Sequence, residues 1–279
     1  MAFERIDAIV INASKLGEAD KIVTFFSKDY GKIQGIARGI RKIRSKYSGK
    51  LELFNRVAVI FFHKAGHLER HSGQTDPPLL KITQVDMVEA FTRLHDDFHK
   101  IVAASCLAEL INKGFEKYDN SHKPVYGLLC ETLRQIEHGQ DIRMLLPAFE
   151  VKILAHLGYT PVLDRCIHCG KLRTRPTASQ QNAVPEQHLP AFHLAQGGIL
   201  CPRCKRLKKG AVNLNPQSIE CLQHFLETRI SQLQPPGFSV QAYQDIRRLL
   251  TGYLQYHLGI SLKTDGFVKK LRSTGTSIR

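Results

Sequence analysis

Two cysteine pairs carry the plainest chemistry in this chain: Cys166-Ile-His-Cys169, followed by Gly170, and Cys201-Pro-Arg-Cys204. Two residues between cysteines let both sulfurs of a tight knuckle face one ion, and two knuckles supply a tetrahedral set of four thiolates. The expected cofactor is one structural Zn2+ held by Cys166, Cys169, Cys201 and Cys204. Four protein ligands leave no open coordination position, so such an ion holds a segment together rather than activating a substrate. Gly170 after the first pair, and Gly197 with Gly198 before the second, let the backbone turn back with positive φ. A redox dithiol would call for a thioredoxin-like βαβ context, which the sequence lacks. Among the histidines that could replace a sulfur, His168 points away from between two ligands, and His188 and His193 lack paired spacing.

The second chemical signal is charge. The stretch "ARGIRKIRSKYSGK", residues 37–50, holds Arg38, Arg41, Lys42, Arg44, Lys46 and Lys50, six cations in thirteen residues from Arg38 onward with no acid among them. Side chains one to four residues apart, on a loop or short helix across a barrel face, can fan onto successive phosphates. Arginine supplies forked donors and lysine mobile point charges, a mixture suited to backbone contacts without sequence reading. Lys32 and the Ser45 hydroxyl complete this first set of candidate DNA contacts. Tyr47 either stacks on a base or packs in the core. A second set surrounds and follows the cysteines: Arg203, Lys205, Arg206, Lys208 and Lys209, then Arg247, Arg248, Lys269 and Lys270. Zinc with four thiolates carries two net negative charges, fewer than the cations beside the second pair would neutralise.

Composition bounds what these residues can serve. The chain has 279 residues, 43% hydrophobic and 23% charged, the balance of a soluble globular protein of two or three domains. Its net charge of +15 favours polyanions. That charge is segregated: residues 81–165 carry 10 Lys and Arg against 12 Asp and Glu, whereas residues 166–215 carry 8 against 1. Of the seven cysteines, Cys106, Cys130 and Cys221 stand alone in apolar helical patterns and read as core thiols. The opening MAFERIDAIV lacks the basic-then-apolar order of a signal peptide, and the apolar run Val57–Phe62 is too short to span a bilayer. A cytoplasmic, nucleoid-associated protein with no membrane partner is expected.

Positioning these groups falls to two kinds of element. Residues 3–75 read as β: "IDAIVI", "KIVTFFS", "KIQGIA", "NRVAVIFFHK" and "HLERHSG", separated by the turn signals "KLGEAD", "KDYG" and "KAGH". Five short strands with a long basic connection after the third suit a small barrel, either an OB-fold or an SH3-like barrel. After "TDPPLL" the period changes. "VDMVEAFTRLHDDFHKIVAASCLAELINKGF", "PVYGLLCETLRQIEH", "LLPAFEVKILAHLGY", "PQSIECLQHFLETRISQL" and "VQAYQDIRRLLTGYLQYHLG" place apolar residues three and four apart, as amphipathic helices do. The expected fold is α+β and multidomain. An N-terminal five-stranded OB-fold barrel over residues 1–80 precedes an α-helical domain over 81–279, into which a four-cysteine zinc-finger module is inserted at 160–212.

The residues resemble those of the RecO family of recombination mediators and DNA repair proteins. "GEADKIVTFFSKDYGKIQGIARGIRKIRSKYSGKLELF" is similar to that family's N-terminal signature, from Gly17-Glu18 and Asp20-Lys21 through Gly31-Lys32 to Leu51 and Phe54. "LGYTPVLDRCIHCGK" followed by "GGILCPRC" resembles its zinc segment, and "LLTGYLQYHLGISLKTDGF" its C-terminal helix. The resemblance implies binding of single- and double-stranded DNA and annealing of complementary strands. It also implies help, with RecR, in loading RecA onto strands coated by single-strand-binding protein, whose C-terminal tail is a further expected partner. By motif, Arg38, Arg41, Lys42 and Ser45 match the family's basic motif, and the four paired cysteines match its metal ligands. The span between the cysteine pairs is longer than the family's pattern.

Enzymatic readings find little support. No GxxxxGK[ST], HExxH or GxSxG occurs, and the HxE at His67–Glu69 is a poor partner for "CPRC" as a zinc deaminase site. "HDDFH", His95 to His99, reads as an exposed helical face. The chain is expected not to be an enzyme. The alternatives are a sequence-specific zinc-ribbon DNA-binding regulator and a zinc-dependent nucleic-acid enzyme.

Overall fold

A computed structural model describes residues 2–63, 79–173, 189–234 and 239–264. The chain divides into two compact units, Met1–His138 with Thr264–Arg279, and Gly139–Lys263. In compactness, residues 81–138 group with the N-terminal strands.

The first unit is built on five strands: β1 (Ala2–Leu16), β2 (Asp20–Ser27), β3 (Gly31–Ala37), β4 (Arg56–His63) and β5 (Leu80–Glu89). They close in the order β1-β2-β3-β5-β4, with β4 antiparallel to β1. This is the five-stranded Greek-key barrel of the OB-fold. Closure is weakest where β3 meets β5, in parallel and at only Gly35↔Leu80 and Ile36↔Lys81. Alternation fills the interior: Ile6, Ala8, Val23, Phe25, Ile33, Val57, Val59, Phe61, Ile82 and Val85 are buried together. Gly35 is required there, since a Cβ would sit 2.6 Å from the Phe61 ring.

The fifth strand corrects the sequence reading, which ran a helical pattern from Val85. The register shows why. Ile60 pairs with Gln84 but the next residue, Phe61, pairs with Ile82, so Thr83 is an extra residue on β5. The bulge turns Ile82 and Val85, three apart, to the same interior face, and a spacing of three imitates a helix. The strand expected at "HLERHSG" lies outside the described residues.

Helices α1 (Phe98–Gly114) and α2 (Lys123–Glu137) complete the first unit. Asp97 is the N-cap of α1, its carboxylate accepting from His99 N at 2.8 Å, which accounts for the "HDDFH" letters. A polar lock ties α2 to the barrel. Arg56 is bidentate to Asp7, Tyr126 Oη donates to Asp7 at 2.7 Å, and Arg134 is bidentate to Glu89. Opposing the cost of burial, Arg56 and Tyr126 hold the Asp7 carboxyl below its ordinary range.

The second unit packs α3 (Ile142–His156), α4 (Pro216–Glu227) and α5 (Val240–Leu258) about one another. Asp141, Asn215 and Ser239 cap their N-termini through side-chain oxygens, and Gly259 ends α5 in the left-handed region. Between α3 and α4 lies a three-stranded sheet of β6 (Ala191–His193), β7 (Gly198–Leu200) and β8 (Ala211–Asn213), in the order β7-β6-β8. It is the scaffold of the cysteine module. Among the described residues, no helix is long and apolar enough to cross a membrane.

Candidate nucleic-acid interface and metal centre

The basic stretch forms the loop that carries the chain from β3 to β4, residues 38–55. It is not a free tether. Gly39 N donates to Asp20 Oδ1 at 2.7 Å, Arg41 N to Ala19 O at 3.0 Å, and the Arg41 guanidinium to Glu18 O at 2.7 Å, so the β1–β2 turn holds its start. Further along, Tyr47 is buried in the barrel core and its hydroxyl donates to Ile82 O at 2.9 Å. Tyr47 is thus a packing residue. Leu51 and Phe54 are buried as well, and Phe54 adopts φ +74°, a left-handed conformation that the surrounding core has to enforce.

That anchoring leaves a cationic rim. Arg38, Arg41, Lys42, Arg44 and Lys46 are exposed, and Ser45 and Lys50 are half-buried. Among the described residues, the side chains of Arg38, Lys42 and Arg44 meet no protein acceptor. Lys46 and Lys50 lie along β5, their ammonium groups donating to Thr83 O at 2.7 Å and Val85 O at 2.9 Å. Lys32 has a different place. It is buried, its ammonium donates to Asn112 O at 2.5 Å, and desolvation lowers its pKa. The adjoining Gly31, at φ +60°, would bring a Cβ to 2.0 Å from Asp119 O. Gly31 and Lys32 join the barrel to the segment between α1 and α2, and Lys32 leaves the set of side chains that can reach a phosphate.

Lys15 and Lys21, which sequence reasoning passed over, extend the rim. They are directly opposite on β1 and β2, next to the turn that anchors the loop. Like charges in that position cost stability. Counting equal steps outward from the "LGEAD" turn was the available signal.

In the second unit the four cysteines converge, their sulfurs all within 4.8 Å of one another. Cys169 Sγ and Cys201 Sγ are 3.9 Å apart, close to the ~3.8 Å that tetrahedral geometry with ~2.3 Å metal–sulfur bonds requires. The first knuckle closes through Gly170 N→Cys166 O at 2.9 Å with Gly170 at φ +73°, and the second through Lys205 N→Cys201 O at 3.0 Å. Gly197 has the expected positive φ. Gly198 instead serves close approach, for a Cβ would meet Ile167 Cγ2 at 2.3 Å. Burial resists ionisation of Cys166, yet backbone N–H groups of Cys201, Cys169 and His168 hold its pKa down to about 6. Cys204 is pushed up to about 12 by burial and by the three neighbouring sulfurs. Four sulfurs at these separations are the donor set that a tetrahedral metal ion takes, so the residues fit a metal ion.

The second set of cations divides. Arg203, Arg206 and Lys209 are exposed and Lys208 is half-buried. Lys205 braces the module, donating to Leu189 O at 2.9 Å and Asn213 Oδ1 at 3.1 Å. Arg247 is buried with both carboxylate oxygens of Glu150 at 2.7 Å, a structural pair that removes it from any DNA-facing set. Arg248 pairs with Asp245 at 2.6 Å while most of its side chain stays exposed. Lys269 and Lys270, with His67, Glu69 and His188, lie outside the described residues.

A closed OB-fold barrel with a cationic loop, followed by helices around a four-cysteine module, defines an OB-fold protein with an appendage that can hold a metal ion. Two family profiles match it in that order: Recombination protein O N terminal over residues 1–74 and Recombination protein O C terminal over residues 95–266. The chain belongs to the RecO family of DNA repair proteins. It is 30% identical to DNA repair protein RecO of Symbiobacterium thermophilum, over 98% of this chain and 99% of that one. It is 27% identical to DNA repair protein RecO of Thermoanaerobacter sp., over 98% and 100%. The counterpart in Pelotomaculum thermopropionicum is 30% identical, over 97% and 95%.

Proposed function

We propose that this chain is a non-enzymatic recombination mediator. It binds single- and double-stranded DNA, anneals complementary strands and, with RecR, helps load RecA onto strands coated by single-strand-binding protein. The observation that carries this reading is the anchored loop with five exposed cations, Arg38, Arg41, Lys42, Arg44 and Lys46, on an OB-fold barrel of a RecO-family chain. Annealing asks for no reacting group. Complementary strands repel, and a protein that neutralises both backbones while leaving the bases accessible raises the frequency of productive encounter.

Arg38, Lys42 and Arg44 are the principal phosphate contacts, with Arg41, Ser45, Lys46 and Lys50 beside them. Arg203, Arg206, Lys208 and Lys209 on the cysteine module are candidates for a second strand. The metal is zinc, held by Cys166, Cys169, Cys201 and Cys204, and its chemistry when bound is to cross-link two knuckles. The acidic tail of single-strand-binding protein finds apolar and basic surface, among them Leu172, Leu207, Lys171 and Arg206, at the mouth of a cleft of about 900 Å3 that the four cysteines also line. The protein works in the cytoplasm at the nucleoid.

Strand annealing measured with and without single-strand-binding protein, at two ionic strengths, tests the reading. Enhancement of annealing of coated strands that fades at high salt is expected. Hydrolysis of nucleotide or strand cleavage by the pure protein, or a steep preference among duplex sequences, would contradict it.

A further inference from the structure

We infer that the outer face of the barrel carries a base-stacking platform, built on Phe3 and Phe62, for the strand that the basic loop holds. The inference rests on the loop's role as a phosphate contact and adds a site where nucleobases, rather than phosphates, are engaged.

Register places the parts. Ile36 on β3 pairs with Lys81 on β5, Lys81 with Phe62 on β4, and Phe62 with Phe3 on β1. Directly opposed residues share a face, and the neighbours Phe61, Ile82 and Ala37 fill the interior, so this row of four lies on the outside. Phe3 is 70% exposed, a larger fraction than Tyr256 or Phe98. Its ring centroid is 5.2 Å from that of Phe62, and the Lys81 ammonium stands 6.0 Å from the Phe62 centroid. The next row places Arg5, Ile60 and Gln84 side by side, with Arg5 shared with Asp86 at 3.6 Å.

A lone exposed phenylalanine would call for no account. Two opposed rings flanked by Lys81 and Arg5 do, because an aromatic face bordered by cations is what a flexible nucleic-acid strand needs: stacking for its bases and neutralisation for its phosphates. The row is also continuous with the cationic loop. Lys46 is fixed to Thr83 O, two residues along β5 from Lys81, and Arg38 lies just past the end of β3, two residues beyond Ile36. A strand following Arg44 and Lys46 along β5 arrives at Lys81 and then at the rings. Duplex DNA, its bases stacked internally, gains nothing from Phe3, so the platform favours single strands.

The chain contains no tryptophan, which makes Phe3→Trp in the full-length protein a direct reporter. Titration with an oligothymidylate of about 30 nucleotides is expected to quench the emission of the introduced indole strongly, while an abasic chain of equal length binds without quenching it. Phe3→Ala is expected to weaken oligothymidylate binding about tenfold at an unchanged salt slope, with duplex affinity kept. Saturation with oligothymidylate that leaves the emission unchanged overturns the platform, as does equal quenching by the abasic chain. So does a free-protein emission already shifted to the blue, which would mean that a segment of this chain covers the rings, or a concentration-dependent shift, which would mean a second copy. An unquenched Phe3→Trp that binds as tightly as wild type removes the platform and leaves the loop standing. If Lys42→Ala with Arg44→Ala binds like wild type, the loop falls and the platform with it.

Discussion

Cations that look alike in sequence do unlike work here. Lys32 and Lys42 are ten residues apart and both accompany the same signature, yet Lys32 is buried against Asn112 O and Lys42 is exposed. A buried ammonium loses hydration that its few partners must replace, which makes it a folding residue. Lys32→Gln is therefore expected to lower the melting temperature by several degrees and to leave DNA affinity of the folded protein unchanged; an intact melting temperature with lost affinity would return Lys32 to the interface. Arg247 makes the same point against Glu150 in the second unit. Type and local spacing named both residues as candidates. Only the fold, by deciding which side of an element faces the core, separates them from Arg38 or Arg44. Asp20, quoted only as part of a signature, turns out to hold the loop through Gly39 N.

At the scale of elements, sequence periodicity was most readable where one rule governs a segment. The helices α2 to α5 lie where apolar spacing puts them, except that α4 stops at Glu227, short of the run read to Leu233, and β1 to β4 follow alternating or Gly-bounded runs. Strand β5 was hidden because the Thr83 bulge breaks the alternation that marks a half-buried strand. The strands β6 to β8 escaped for another reason. Three residues each, they are too short for any period, and the knuckles that flank them provide their order. That dependence yields a prediction: Cys169→Ser, or prolonged chelation, is expected to release one zinc per chain, measured by a chromogenic chelator, and to expose the module to protease while the barrel stays resistant. Release of no metal would refute the zinc assignment, and an unchanged digestion pattern would refute its structural role.

At the scale of the whole chain, charge is segregated along the sequence: the cations of the loop and those of the cysteine module come before and after a segment, residues 81–165, whose acids outnumber its bases. Net charge alone would have favoured any polyanion, acidic membrane included. What favours a nucleic-acid strand in the proposed reading is the combination of an OB-fold barrel, a loop anchored through Asp20 and Tyr47 on which Arg38, Arg41, Lys42, Arg44 and Lys46 stay exposed, and family membership. Phosphate contacts of this kind release counterions, so their number can be read from the dependence of affinity on salt.

The most direct measurement is the binding of single-stranded oligonucleotide by fluorescence anisotropy across a salt series, for the wild type and for Lys42→Ala with Arg44→Ala. Each phosphate contact contributes roughly 0.7 to the slope of log affinity against log salt, so the double variant is expected to bind more weakly and with a slope shallower by about 1.4. A variant with unchanged slope and affinity would contradict the assignment of this loop as the DNA-holding element.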